Sequence, residues 1–442
     1  MKLGSSPLMK GLMVALVAMV VLIPVQMLRS LVAERAQSRQ DAITRVARGW
    51  GDTQFIGGPI IVIPVTVPQD NGRSALIDWY VLPESLTLQS ELTVQPERRK
   101  LGIYEVPVYV STVHASVKFD LAPRVAALMR SQVANTVHLD RARLMLPISD
   151  TRGVRDVGVT GAAVGNGAFE PDRSFVMGAL ATALRPDAQL DKGEQTFDLT
   201  LQIAGTYSLS FIPTARSTSV KLAGNWADPG FSRGFLPVER TISDSNSKAP
   251  RFTARWQILD LNRSFGSNWF SEQVSEPVFR ESAFGVDLVQ TVDLYQQAER
   301  SVKYGGLFIA LSLLTLFVWE HLARRPLHPI QYGLMGLALS VFYLLLLALA
   351  EHVGFTVAYV VAAAALCGLL GFYLSGAFDS GKSGGGASAV FAGVYALLYL
   401  LVTSEDYSLL VGSLAVFALL ATAMVLTRRL DWYQASARAQ PE

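Results

Sequence analysis

Residues Lys303–His352 read KYGGLFIALSLLTLFVWEHLARRPLHPIQYGLMGLALSVFYLLLLALAEH, and this stretch decides the fold. Two apolar runs flank a short basic turn, Ala323-Arg324-Arg325-Pro326-Leu327-His328-Pro329. Each run has about 20 residues, enough for a helix to cross a hydrocarbon core of ~30 Å. The turn holds Arg324 and Arg325, while the far ends hold almost no positive charge except Lys303. Short loops rich in Lys and Arg stay in the cytoplasm, so this hairpin orients the chain.

Working outward, the same pattern recurs. Only 17% of the 442 residues are charged, against about 25% in an ordinary soluble domain. The apolar excess sits at 8–28 and 304–427. It divides into an N-terminal span at 11–28 and C-terminal spans near 304–322, 331–350, 354–375, 387–403 and 407–426. The first run is longer than the apolar core of a signal peptide, and Arg29 follows it in place of a small-residue cleavage site, so it reads as an uncleaved anchor. Six crossings put Lys2, Lys10, Arg324, Arg325, Lys382, Arg428 and Arg429 on the cytoplasmic side, with both termini. The outer turns then hold Glu351-His352 and Glu405-Asp406 and no Lys or Arg. A net charge of +2 gives no reason to expect a nucleic-acid partner.

The expected division is 1–30 as anchor, 31–300 as an outer domain and 301–442 as a five-helix membrane domain. Residues 31–49 read as a polar helical stalk ended by Gly49 and Gly51. Beyond it Ile60–Val67 is rich in β-branched residues. Leu86, Leu88, Leu92 and Val94 alternate with polar neighbours, as do Val113, Ala115, Val117 and Phe119, and Phe197, Leu199, Leu201 and Ile203. That period of two marks half-buried strands. Tyr207, Leu209 and Phe211 continue it, Asn71-Gly72 and Asn166-Gly167 mark turns, and 122–134 reads as a short helix. The fold class expected is an α+β membrane protein whose large periplasmic domain, about 30–303, is mainly β and sandwich-like. The one cysteine, Cys367, lies in an apolar run, so no disulfide staples that domain.

Residues 224–240, GNWADPGFSRGFLPVER, crowd glycines, prolines and the aromatics Trp226, Phe231 and Phe235 into an irregular segment. One reading is a structured loop whose rings plug the core. The other is a recognition loop for a periplasmic protein, peptidoglycan or lipid.

Signals for chemistry are sparse. Gly376-Ala377-Phe378-Asp379-Ser380-Gly381-Lys382-Ser383 spells a phosphate loop, but that cradle needs a strand before it and a helix after it. A membrane span precedes it here, so no nucleotide is expected at Gly381-Lys382-Ser383, and Lys382 serves as an inside charge. His114 and His138 lack the spacing of a hydrolase or a metal site. No catalytic residue, metal or cofactor is expected, and the chain does not read as an enzyme. No ionisable residue falls mid-span, which counts against proton coupling but leaves transport by the helix bundle as the alternative.

Several segments together carry a family resemblance: Gly102–Tyr109, Asn225–Pro229 with Gly234–Pro237, Phe284–Leu288, Val292–Tyr295, Arg300–Tyr304, His328–Tyr332, Leu344–Leu347, Glu351-His352, Glu405–Tyr407 and Asp431–Tyr433. In this order the chain resembles the CreD family of bacterial inner-membrane proteins. Thr291, where the pattern has proline, and the Gly/Ser segment after the fourth span depart from it. The resemblance implies a role in cell-envelope integrity, with links to envelope stress, colicin tolerance and a carbon-source-responsive two-component system. It carries no catalytic residues.

Overall fold

The computed structural model describes residues 7–69, 73–95, 99–102, 104–175, 177–231, 233–243, 251–271, 273–288, 294–323, 327–403, 410, 412–414, 417, 421 and 424–425. The chain forms two units, Met1–Gln40 with Val292–Glu442, and Asp41–Thr291. The boundaries expected at 30/31 and 300/301 fall inside the helices Pro7–Trp50 and Leu294–Ala323. Both helices run on through polar sequence beyond their apolar segments.

Helix α1, Pro7–Trp50, joins the span and the stalk without a break. Its last carbonyls meet cations. Arg152 Nη1 donates to Arg48 O (3.5 Å) and Arg155 Nη2 to Trp50 O (3.2 Å), with the Arg155 guanidinium 4.9 Å from the Trp50 ring. Positive charge at a helix C-terminus offsets its unpaired carbonyls and dipole.

The β unit has two seven-stranded sheets. The first runs Val154–Thr160, Glu194–Thr206, Val108–Asp120, Ser85–Val94, Ser217–Gly224, Phe252–Leu259, Glu239–Ile242. The second runs Glu170–Asp172, Ala179–Ala183, Arg143–Pro147, Ile60–Pro68, Ser74–Val81, Asn268–Phe270, with Thr136–Val137 also pairing Ile60–Pro68. A four-stranded sheet joins Gln54–Gly57, Ser208–Ile212, Phe284–Leu288 and Pro229–Gly230. Pairing is mainly antiparallel, except that Ser217–Gly224 runs parallel to Ser85–Val94 and Gln54–Gly57 parallel to Ser208–Ile212. Two short helices, α2 (Ala122–Arg130) and α3 (Glu276–Glu281), and a two-stranded ribbon, Arg99–Leu101 with Tyr104–Val106, also belong to the unit.

One apolar core gathers the inward faces of all three sheets: Leu86, Leu88, Val113, Val117, Phe197, Leu199 and Trp256 with Ile61, Ile63, Trp79, Leu144 and Leu146, and Phe211 and Phe284. The opposite face of the first sheet is polar, where Gln89 and Thr200 flank His114 in register. The second sheet is covered on both faces. Its other side carries Ile60, Val62, Tyr80 and Met145 under Phe175, Phe265, Trp269 and Phe279. This explains why Ile60–Val65 is a continuous apolar run instead of an alternating one. The same reason corrects Ser208–Ile212. Its period of two suggests one wet face, yet every residue is buried.

The second unit holds α1 up to Gln40 with α4 (Leu294–Ala323), α5 (Pro329–Val353), α6 (Phe355–Ala377) and α7 (Gly381–Thr403). Among the described residues five helices are long and apolar enough to cross a membrane, α1 included. The span expected at 407–426 lies for the most part outside the described residues, as do Lys2, Asn71-Gly72, Arg324-Arg325, Glu405-Asp406 and Arg428-Arg429. His328 starts α5. Its Nδ1 accepts from Ile330 N (3.3 Å), and Gln331 Oε1 accepts from His328 N (2.7 Å), with Pro329 in the first turn. That reciprocal cap with proline fixes where the helix begins. α1 packs on α5 at Gly336, where an added Cβ would lie 2.6 Å from Val21 Cγ2.

The Gly/Ser-rich segment 379–386, whose glycines read as a loop in the sequence, is mostly helix, since α7 begins at Gly381. Close packing explains it. A Cβ on Gly384 would sit 2.6 Å from the carbonyl of Gly371 on α6, so glycine lets the two backbones meet. Gly381-Lys382-Ser383 thus forms the first turn of α7.

Candidate functional site

The segment 224–240 was the sequence's candidate. Asn225 anchors it, accepting from Val94 N (2.6 Å) and donating to Val94 O (3.1 Å). Phe231 is buried, edge-on to Phe252 (6.0 Å) and Trp256 (5.9 Å). Phe235 stands edge-on to Phe284 (6.2 Å), and its carbonyl accepts from Trp256 Nε1 (3.0 Å). Trp226 is half-buried against the same core. The structure brings all three rings to the core. Leu236, 74% exposed, and Val238, 63% exposed, are the apolar side chains this segment offers to a partner. Phe231, by contrast, is covered by the core and not accessible to a partner.

A second feature was not visible in the sequence. A groove of about 860 Å³ lies over the strands Arg143–Pro147, Ala179–Ala183 and Glu170–Asp172. Arg141, Arg143, Arg173 and Arg185 line it with Asp140, Glu170 and Asp172. Arg143 is held between two acids, with Nη2 donating to Asp78 Oδ2 (2.6 Å) and Nε 3.2 Å from Asp172 Oδ2. Arg185 forks onto Asp187 (3.1 and 2.7 Å), whose carboxyl is held below the usual range by those hydrogen bonds. Arg141 and Arg173 are exposed, with no side-chain hydrogen bond or ion pair among the described residues, and neither do the carboxylates of Asp140 and Glu170 have one. Free guanidinium groups recognise carboxylate or phosphate through paired N–H donors, and the free acids accept amines or hydroxyls.

A smaller cavity of about 210 Å³ is lined by Asp52, Phe55, Asp150, Arg152 and Arg280. Burial pulls the Asp150 carboxyl up, but hydrogen bonds from Arg152 and from the N–H groups of Asp52 and Arg152 outweigh it and hold the group below the ordinary carboxylate value. Arg152 is occupied by Asp150 at 2.8 and 3.0 Å. This cluster ties the end of α1 to the β unit's strands and leaves little chemistry free.

His114 is exposed, 3.3 Å from Thr200 Oγ1, and His138 lies 2.9 Å from Thr66 Oγ1. His114 lies on the strand Val108–Asp120 and His138 in the turn after Thr136–Val137, and the two are not brought together. Among the described residues no group of three or more His, Cys, Asp or Glu could hold a metal ion.

Inside the helix unit, Glu320 is buried and its Oε2 accepts from Tyr332 Oη (2.6 Å). Glu320 lies near the end of the apolar run 304–322. The signal for this pair was there, since an antiparallel hairpin brings positions 320 and 332 level.

A set of apolar membrane-length helices joined to a folded β sandwich defines an integral membrane protein with a large domain outside the bilayer. The profile of the family described as "Inner membrane protein CreD" matches residues 6–433. The chain is also 33% identical to Inner membrane protein CreD of Escherichia coli (strain K12), with 94% of this chain and 91% of that protein covered. The chain belongs to the CreD family of inner membrane proteins.

Proposed function

We propose that this protein supports or monitors cell-envelope integrity without catalysing a reaction, contributing to envelope stress responses and colicin tolerance. In this reading the β unit faces the periplasm, both termini lie in the cytoplasm, and the helices hold the domain at the bilayer. Its partner is a periplasmic protein, peptidoglycan or a lipid. The observation that carries the reading is the groove, which offers Arg141 and Arg173 free beside Asp140 and Glu170. Such mixed charge suits a ligand bearing both carboxylate or phosphate and amine groups.

The test uses the full chain in its own membrane. A photo-crosslinking amino acid at position 173 should trap a discrete adduct, and one at 236 reports on the segment 224–240. Adducts at neither position would overturn the reading. Reporter fusions after residues 200 and 380 should land on opposite faces, and both landing in the cytoplasm would refute the orientation. Transport by the helix bundle is the second reading, favoured by the polar side chains buried within it.

A further inference from the structure

The helix unit hides a line of polar groups. At one end Tyr295 Oη donates to Glu351 Oε1 (3.1 Å), and Arg35 Nε lies 3.9 Å from the same oxygen. At the other end Tyr332 donates to Glu320, with the two residues 1% and 4% exposed. Between these ends lie the hydroxyls of Ser312, Tyr343 and Tyr395, on α4, α5 and α7. All three are buried, and none has a hydrogen-bond partner among the described residues.

Their placement is ordered. The Tyr343 ring lies against Gly305 of α4, where an added Cβ would stand 3.0 Å from Cζ. Phe342 packs edge-on to Tyr395 (4.6 Å) and Tyr359 (5.5 Å), and Tyr359 Oη donates to the Tyr395 carbonyl (2.7 Å). Tyr343, Tyr359 and Tyr395 therefore stand at one level of the bundle. Tyr343 precedes Glu351 by eight residues and Ser312 precedes Glu320 by eight, each about 12 Å along a helix axis. The polar groups divide the length of the unit into steps that a chain of waters would have to bridge.

A hydroxyl without a partner in a hydrocarbon-embedded interior costs several kcal/mol. Phenylalanine would fill the places of Tyr343 and Tyr395 without that cost. Hydroxyls both donate and accept, so with water between them they relay protons. We propose that the helix unit encloses a proton path running between Glu351 and Glu320 through the hydroxyls of Tyr343, Tyr395 and Ser312 and bound water. A carboxylate at the entry end takes up one proton. Each water or hydroxyl oxygen along the path gains a proton from one side and releases its own to the other, and the far carboxylic acid gives up one proton. No covalent change or redox partner is needed. This goes beyond the envelope reading, which rests on the β unit and stands or falls separately.

The test is proton flux into vesicles of purified full-length protein, driven by a potassium diffusion potential with valinomycin and read by an entrapped pH dye. Wild type should carry protons several-fold faster than protein-free vesicles. Tyr343→Phe and Tyr395→Phe, which keep ring and packing, should each lower the rate, and Glu320→Gln should bring it to the protein-free level. Phe372→Leu, at a side chain 80% exposed on α6, should leave it unchanged. Reconstituted amounts and monodispersity in detergent are matched across variants. A wild-type rate equal to protein-free vesicles, or wild-type flux untouched by the two phenylalanine variants, would overturn the proposal.

Discussion

Replacing Trp256 separates the structural role of segment 224–240 from its role in recognition. Trp256 is fully buried in the β core, against Phe231 at 5.9 Å and Phe284 at 5.5 Å, and its Nε1 donates to Phe235 O at 3.0 Å. Trp256→Ala removes that ring, at a cost of about 3–5 kcal/mol. It also orphans the Phe235 carbonyl, adding about 1–3 kcal/mol. A domain of this size loses about 2–4 °C of Tm per kcal/mol, so the β unit should melt roughly 8–32 °C lower. Trp256→Phe keeps most of the ring and loses chiefly the hydrogen bond, about 1–2 kcal/mol. The assay is thermal unfolding of full-length protein in detergent, followed by protease cleavage within 41–291. Leu236→Ser at the exposed end of the segment should leave the melt where it was, because substitutions at surface positions stay within about 0.5 kcal/mol. If the alanine variant melted with wild type, the segment would not be plugging the core and the argument from Phe231 and Phe235 would fail.

Arg143→Met leaves Asp78 and Asp172 without their cation in a partly buried setting, and should cost about 1–3 kcal/mol in the same melt; no shift would mean the pairs behave as surface pairs. Asp150 has its carboxyl held low in the folded protein. Its contribution is therefore present above the unfolded value of ~3.9 and is lost as pH falls through the lower folded value. The melting difference between wild type and Asp150→Asn should be largest at neutral pH and shrink below that window, and a pH-independent difference would refute the assignment. Gly384→Leu should push α7 off α6, because its Cβ would meet the Gly371 carbonyl. Cys367, buried in that region with its carbonyl accepting from Ser388 Oγ at 2.9 Å, should then react several-fold faster with a maleimide.

Much of this architecture can be read from periodicity, and its failures have physical causes. Ser85–Val94, Val108–Asp120 and Glu194–Thr206 form strands where alternation places them, because one face meets the core and the other meets solvent. Alternation cannot announce a second covering layer, which is why Ser208–Ile212 looks half-buried in sequence. The glycines at 384–386 look like a loop because glycine is a weak helix former, and only the partner backbone at Gly371 explains why they are helical. The groove was invisible for another reason. Arg143 meets an acid 65 residues away, and that pairing follows from sheet order, not from local spacing.

The two polar features place different demands on folding. Arg141 and Arg173 lie in water, where an unpaired guanidinium costs the fold almost nothing, so the groove can hold them ready for a ligand without strain. The Tyr343 and Tyr395 hydroxyls are shut away from solvent inside an apolar unit, where each unmet hydrogen bond opposes stability. Packing accounts for their rings and not for their oxygens. Of the two, the buried hydroxyls are therefore the feature that folding alone leaves unexplained, and measurements on Tyr343→Phe and Tyr395→Phe bear most directly on whether the helices do more than anchor the β unit.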